Sequence, residues 1–513
     1  MKKSLPIGIN TFETIIKEKF IYVDKTQYVY ELISKTSRYF LSRPRRFGKS
    51  LLVDTLKSVF EAKKELFQGL YIYDKWDWNT KFPVIKIDFV GSQFIETKYL
   101  QNKLKKNLEE VCKYYELEVY DDFLSDWFRE IILELHKKYQ QKVVILIDEY
   151  DKPILDCITD HETAKANREI LKGFYSVIKG ADEYLRFVFL TGVSKFSKTS
   201  LFSGLNNLED ITLSKKYANI CGYTHEDLLH YFQDYLQNVD LEEVKRWYNG
   251  YCWDIQTPKV YNPFDVLLFL ENECQFKNYW FETGNPSFLI KLLQERSYYL
   301  PDLENVRADE TLLSTFDVND IPIEALLWQT GYLTIKNQIQ TYGTILYELQ
   351  YPNFEVEHSL NQTLIKYFTK DTRLQIINLS YESLLSLDKG ELDKLEKILR
   401  SLFSGISYSY SQHIKDYEGF YGSVVYAFFK GLGLNCIIED HTSIGRIDLT
   451  LKITNKIYIF EFKMVQHKEK PIEQIKKNKY YEKYLNEGKA IYLIGMVLDP
   501  ENKNLTAFEW EKV

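Results

Sequence analysis

Eight residues, Lys142-Val143-Val144-Ile145-Leu146-Ile147-Asp148-Glu149, constrain the fold of this 513-residue chain more than any others. An unbroken apolar run suits a strand buried on both faces, the central strand of a parallel sheet. The two acids that end it fall on the sheet edge where open α/β folds bind ligands. About 100 residues earlier, Tyr39-Phe40-Leu41 reads as a second buried strand. It runs through Ser42-Arg43-Pro44-Arg45-Arg46-Phe47-Gly48-Lys49-Ser50 into a helix, Leu51 to Phe60. Strand, loop, Gly-Lys-Ser and helix is the context of a phosphate-binding loop. Backbone N–H groups from Arg45 through Leu51, Phe47 and Gly48 included, and the helix N-terminus would hold the phosphates of ATP. Lys49 would reach the β- and γ-phosphates, and Ser50 would bind Mg²⁺. Asp148 would complete the Mg²⁺ shell, and Glu149 would polarise the attacking water.

Each half has an ordinary alternative. A bare Gly-Lys-Ser can simply start a helix, and an acidic strand end can simply be solvated. Their order and spacing, each after a strand, favour nucleotide binding. One departure stands out: Arg43 occupies the place of the first Gly in G-x4-G-K-S. A bulky residue beside the phosphates puts hydrolysis in question. Arg45 and Arg46 could neutralise phosphate charge, act on a neighbouring subunit's nucleotide in a homo-oligomer, or pair with surface acids.

Two more strands fit the same sheet, Phe82 to Phe89 and Leu185 to Thr191. Thr191 and Ser194 occupy the place of a polar γ-phosphate sensor. Helices are expected over Lys98 to Tyr114, Tyr120 to Tyr139 and His161 to Lys179. Strands alternating with helices imply right-handed crossovers and a doubly wound parallel sheet. From about Leu213 short helices take over. Thr224 caps one of them. Trp247-Tyr248-Asn249-Gly250-Tyr251, Val260-Tyr261-Asn262-Pro263-Phe264 and Trp328-Gln329-Thr330-Gly331-Tyr332-Leu333 read first as packing for a helical lid. Stacking on bases is the alternative.

The C-terminal part carries a second constellation. Ile447 to Ile453 and Lys456 to Lys463 read as strands of a hairpin. If the loop is Thr454-Asn455 or Asn455-Lys456, Asp448 falls opposite Glu461 or Lys463, and Glu461 and Lys463 share a face. Two carboxylates can hold Mg²⁺, and the ammonium can stabilise charge on a phosphate. The bland alternative is a charged outer face of a hairpin. Glu418 begins an apolar helix running to Phe429, Gly445 allows a close approach before Asp448, and a lysine-rich helix with Gln474 and Tyr480 follows Lys463. Lys468, Lys470, Lys476, Lys477, Lys479 and Lys483 form either a phosphate-binding face or a solvated one.

Composition narrows the class. Hydrophobic content of 45% and aromatic content of 16% allow sizeable cores. A net charge of −7 leaves room only for a local nucleic-acid patch. Six scattered cysteines without a C-x-x-C pair suggest reduced thiols. No signal peptide or membrane span is expected, so a cytoplasmic bacterial protein is.

The order Glu418, Gly445-Arg446-Ile447-Asp448, Glu461-Phe462-Lys463, Gln474-x5-Tyr480 resembles the PD-(D/E)XK nuclease superfamily. Arg43-Pro44-Arg45-Arg46-Phe47-Gly48-Lys49-Ser50, Asp148-Glu149-Tyr150-Asp151-Lys152-Pro153 and Tyr22-Val23-Asp24-Lys25-Thr26 resemble a bacterial AAA-like ATPase family with such a nuclease-like C-terminal domain. The middle motifs fit the same family. The resemblance covers nearly the whole chain. It implies metal ligation by Asp448 and Glu461, a catalytic Lys463, and supporting roles for Glu418 and Gln474. The expected organisation is a P-loop ATPase domain over 1–212, a helical lid over 213–358 and an α/β nuclease-like domain over 359–513. The expected function is ATP hydrolysis coupled to Mg²⁺-dependent cleavage of nucleic acid, DNA in the first place. The alternative is a nucleotide-dependent nucleic-acid-binding or regulatory module that cuts nothing.

Overall fold

The computed structural model describes the chain apart from residues 1, 36, 196–207, 282–288, 291, 294–295, 297, 314–320, 342, 370–372, 407–416 and 468, and the side chains of 373 and 374. The chain divides into two compact units, one built from 1–283 with 306–353 and the other from 284–305 with 354–513.

The first unit is organised by the apolar run. Strands β1 (Ser37–Ser42), β2 (Val84–Asp88), β3 (Val143–Asp148), β4 (Leu185–Gly192) and β5 (Glu209–Asp210) form one sheet in the order β2-β3-β4-β1-β5. Every pairing is parallel. All six residues of β3 are buried, as its lack of alternation requires. The longer helices between the strands are Lys49–Phe60, Thr97–Tyr115, Leu124–Tyr139 and His161–Gly180. They match the expected segments to within a few residues. Because all strands run the same way, the loops after β1, β2, β3 and β4 open on one edge.

The segment beyond this sheet carries helices, among them Leu241–Tyr248, Pro263–Glu271 and Ile323–Thr330. It also carries two small antiparallel sheets that the sequence reading lacked. One joins β6 (Tyr223–Thr224), β7 (Asn249–Tyr251) and β8 (Val260–Tyr261). The other joins β9 (Val306–Asp309), β10 (Thr334–Thr341) and β11 (Thr344–Gln350).

The second unit holds a mixed five-stranded sheet of β12 (Asn435–His441), β13 (Arg446–Lys452), β14 (Lys456–Met464), β15 (Ala490–Asp499) and β16 (Asn504–Lys512), in sequence order. β14 and β15 run parallel, and the other neighbours are antiparallel. Parallel neighbours need a crossover. Here it is the helix Pro471–Lys477 and a 3-10 helix, Tyr480–Glu487. The expected single lysine-rich helix is therefore broken, and Lys479 takes the left-handed conformation between its parts (φ 48°). No described helix is long and apolar enough to cross a membrane.

Candidate functional site

Lys49 and Ser50 begin the helix after β1, with Gly48 as its N-cap. Arg45 through Leu51 line a cavity of about 590 Å³ at the C-terminal edge of the parallel sheet. Glu149, Asp151 and Lys152 line it from the end of β3, and Ile9, Tyr22, Val23, Phe264 and Leu267 supply apolar wall. Buried Lys49 donates to the carbonyls of Arg43 (2.9 Å) and Pro44 (2.8 Å). Burial lowers its pKa, opposed by the charges of Asp148, Asp151 and Glu149. Burial raises Asp148, opposed by the bond to the Ser50 hydroxyl. Burial, then the charge of Asp148, raises Glu149. Glu149 and Arg46 hold left-handed backbone (φ 52° and 67°), costing on the order of 1 kcal/mol each.

The two sensor candidates, Thr191 and Ser194, stand at and just after the end of β4. Thr191 is buried and donates its hydroxyl to the Leu41 carbonyl at 2.9 Å, a bond between neighbouring strands. Neither Thr191 nor Ser194 lines the cavity. Asp151 reaches this region instead, accepting from the Val193 (3.0 Å) and Ser194 (2.5 Å) N–H groups.

Arg43 points away from the cavity. Its guanidinium is fully buried and donates to the carbonyls of Ser42 (2.8 Å), Thr212 (3.0 Å) and Tyr217 (3.1 Å). It lies 4.0 Å from the centre of the Trp253 ring. The middle motifs complete this clamp. Asn262 (3.4 Å) and Trp280 (3.2 Å) donate to the Arg45 carbonyl. Phe47 packs edge-on against Tyr251 and Trp253. Pro44 lies where a Cβ on Gly331 would be, 2.7 Å away, and Gly331 has φ 92°. Tyr251, Trp253, Trp280 and Gly331 thus pack against the phosphate loop, while Phe264 lines the cavity itself. Asn262, Trp253 and Trp280 were missed as site residues. Asn262, an N-cap in an aromatic motif, was the one signal that could have pointed there.

In the second unit the hairpin turn settles on Thr454-Asn455, because the Ile453 N–H donates to Lys456 O at 3.0 Å. The ladder runs to Leu449 opposite Phe460. The next positions are Asp448 and Glu461, side by side. There the Phe462 N–H leaves the ladder and donates to Asp448 Oδ2 at 2.7 Å. Glu461 is 1% exposed. Its Oε1 accepts from Gln474 and, at 3.3 Å, from Lys463. Its Oε2 is buried without a hydrogen-bond partner. Gln474 reaches Glu461 because Gly495, the β15 neighbour of Glu461, leaves room for Ile472. A Cβ on Gly495 would lie 2.7 Å from Ile472 N.

Burial, then the charge of Asp448, pushes Glu461 up to about 8. Burial raises Asp448 too, opposed by the Phe462 N–H and the Lys463 charge. The charge of Glu418 acts on both Asp448 and Lys463. The structure thus gathers Glu418, Asp448, Glu461, Lys463 and Gln474. An orphaned buried carboxylate oxygen beside a second carboxylate suits a hard divalent cation. Among the described residues, however, no three acids, histidines or cysteines converge as a complete ligand set. Water and substrate oxygens would have to supply the remaining ligands.

The lysine run is less open than its sequence suggests. Lys470 and Lys476 pair with Glu509 and Glu511, Lys477 with Glu469, Lys479 with Glu482, and Lys483 with Asp440. Lys468 lies outside the described residues.

Residues 6–202 match the family described as predicted AAA-ATPase, and residues 416–508 match the PD-(D/E)XK nuclease superfamily. A protein of Azotobacter chroococcum mcd 1, described as uncharacterized protein in vnfD 5'region, is 41% identical over 520 residues. The match spans 100% of this chain and 99% of that protein. With its parallel-sheet unit and its mixed-sheet unit, the chain belongs to the AAA-ATPase-like family and carries a C-terminal domain of the PD-(D/E)XK nuclease superfamily.

Proposed function

We propose that this protein hydrolyses ATP and uses that cycle to govern Mg²⁺-dependent cleavage of nucleic acid, DNA in the first place. The observation that carries the reading is Glu461, a buried carboxylate with one oxygen held and the other without a partner, beside Asp448 and Lys463. Nothing in a merely charged hairpin face requires burying such a group, which costs several kcal/mol unless something compensates it. Asp448 and Glu461 would hold the cation, with Gln474 fixing the Glu461 carboxylate. Bound Mg²⁺ would supply an activated water and neutralise phosphate charge. Lys463 would add a positive charge at the scissile phosphate. In the nucleotide cavity, Ser50 and Asp148 would hold a second Mg²⁺, Lys49 would release its loop carbonyls for phosphate oxygens, and Glu149 would orient water. The test is incubation with plasmid, linear and single-stranded substrates, with and without Mg²⁺ and ATP.

Lys49→Ala is expected to weaken ATP binding about 10- to 100-fold, the worth of a charge-assisted hydrogen bond. Isothermal calorimetry measures it, and an unchanged Kd removes Lys49 from the phosphate site. Glu149→Gln should bind ATP normally and hydrolyse it on the order of 10²-fold more slowly.

The raised carboxyls give metal binding a pH dependence. Glu461 shifts from 4.5 to about 8, so between these values the folded metal-free protein holds more protons than the unfolded chain. Its stability therefore falls as pH rises through that window. A cation displaces those protons, so metal affinity rises over the same window. The melting shift produced by Mn²⁺ should be larger at about pH 8.5 than at about pH 6. Equal shifts would contradict a metal held by these acids.

A further inference from the structure

His467 is a basic side chain near the site that the proposed chemistry has not used. His467 follows β14, and its N–H donates back to the Met464 carbonyl at 2.9 Å, a tight turn that fixes where the ring emerges. Its Nδ1 lies 3.7 Å from Glu418 Oε2. Both side chains are partly exposed, His467 at 46% and Glu418 at 34%, so the pair sits at the rim where a substrate would arrive. Glu418 in turn acts electrostatically on Asp448 and Lys463. The imidazole therefore stands at the edge of the carboxylate and lysine cluster. Glu418 faces Nδ1, which leaves Nε2 as the nitrogen presented to a ligand. A carboxylate beside one ring nitrogen sets the direction of the ring and turns its other nitrogen outward, where a proton donor would meet a leaving oxygen. Lys463 is not suited to this task, because its ammonium is engaged by Glu461 at 3.3 Å.

We propose that His467, oriented by Glu418, donates the proton that the leaving oxygen requires when the phosphodiester is cut. The assignment rests on the nuclease reading above. Water oxygen forms the new P–O bond and gives a proton to solvent. The bond from phosphorus to the bridging oxygen breaks, and that oxygen takes the His467 Nε2 proton to become a hydroxyl. The neutral imidazole is reprotonated from solvent. No oxidant or further reactant is needed. Glu418 is a positioning residue in this scheme and touches no substrate.

The experiment compares an ordinary oligonucleotide with one carrying sulfur at the bridging position that leaves, identified first from the product termini. A thiolate leaves without protonation, so the sulfur substrate bypasses the donor. His467→Ala and His467→Gln, used with full-length protein and Mg²⁺, should lose about 10²-fold or more on the oxygen substrate. On the sulfur substrate they should stay within a few-fold of wild type. Glu418→Gln should show the same selective loss to a smaller degree. Equal losses on both substrates in both His467 variants, or no loss on either, overturn the assignment while leaving the nuclease reading intact. A wild-type protein that cuts neither substrate overturns the nuclease reading and this assignment with it.

Discussion

Asp448→Asn is expected to abolish nucleic-acid cleavage and cut metal affinity sharply while leaving the fold intact. Asparagine keeps the carbonyl oxygen that accepts the Phe462 N–H, so the hairpin geometry at that bond survives. It removes one of the two charges that would hold the cation. It also removes the repulsion that helps raise Glu461. The metal-free variant should therefore melt no lower than wild type, and higher at a pH where both acids would be ionised. Loss of function with undiminished stability is the mark of a site that the fold tolerates rather than needs. Lys463→Ala should lose rate but retain Mn²⁺ binding, since it supplies charge and no ligand. Melting curves with and without Mn²⁺, beside a cleavage assay, separate these outcomes. An Asp448→Asn protein that binds Mn²⁺ as tightly as wild type would remove Asp448 from the metal site.

Restoring a glycine at position 43 is expected to damage the protein, although it would regularise the phosphate loop. The Arg43 guanidinium is fully buried among backbone carbonyls, including those of Thr212 and Tyr217, and stacks on Trp253. Removing it leaves several buried acceptors unsatisfied, at about 1–3 kcal/mol each. It also leaves a cavity the size of a long side chain. Burial already lowers the Arg43 pKa to about 10, opposed by the charges of Cys221 and Asp210. Carbonyls and an aromatic face supply its direct contacts. Arg43→Gly should lower the melting temperature by several degrees or more and weaken ATP binding, because the loop loses its outer anchor. Arg43→Lys should rescue only partly, since an ammonium lacks the planar fork that meets several carbonyls at once. A glycine variant of equal stability and tighter nucleotide binding would show that Arg43 is an encumbrance.

What could be read beforehand follows the range of the forces involved. The apolar run of β3 and the β-rich apolar segments of β13 and β14 are local patterns, and they placed a parallel strand and a hairpin correctly. With a two-residue turn, the strand period sets Asp448 opposite Glu461 or Lys463, which share a face. Which of the two it faces could not be read, because Thr454-Asn455 and Asn455-Lys456 are both turn-forming pairs and each sets its own register. The β10–β11 hairpin was missed, although Gly343 between two alternating segments was its signal. The fate of Arg43 depends on Thr212, Tyr217 and Trp253, far along the chain. No local pattern shows whether a loop arginine faces phosphate or carbonyls. The Thr191 hydroxyl shows a similar dependence on distant partners. A threonine at a strand end offers its hydroxyl to a ligand or to the neighbouring strand, and here β1 takes it. The lysines after Lys463 read as a charge run, but two of their acidic partners, Glu509 and Glu511, arrive on β16.

The most direct test is cleavage by the purified full-length protein. Plasmid, linear duplex and single-stranded DNA are incubated with Mg²⁺ or Mn²⁺, with and without ATP, beside Asp448→Asn and Glu461→Gln. Metal-dependent strand cutting by the wild type, altered by ATP and absent from both variants, is the predicted result. No cutting under any metal and nucleotide condition, or cutting that survives in both variants, would contradict it.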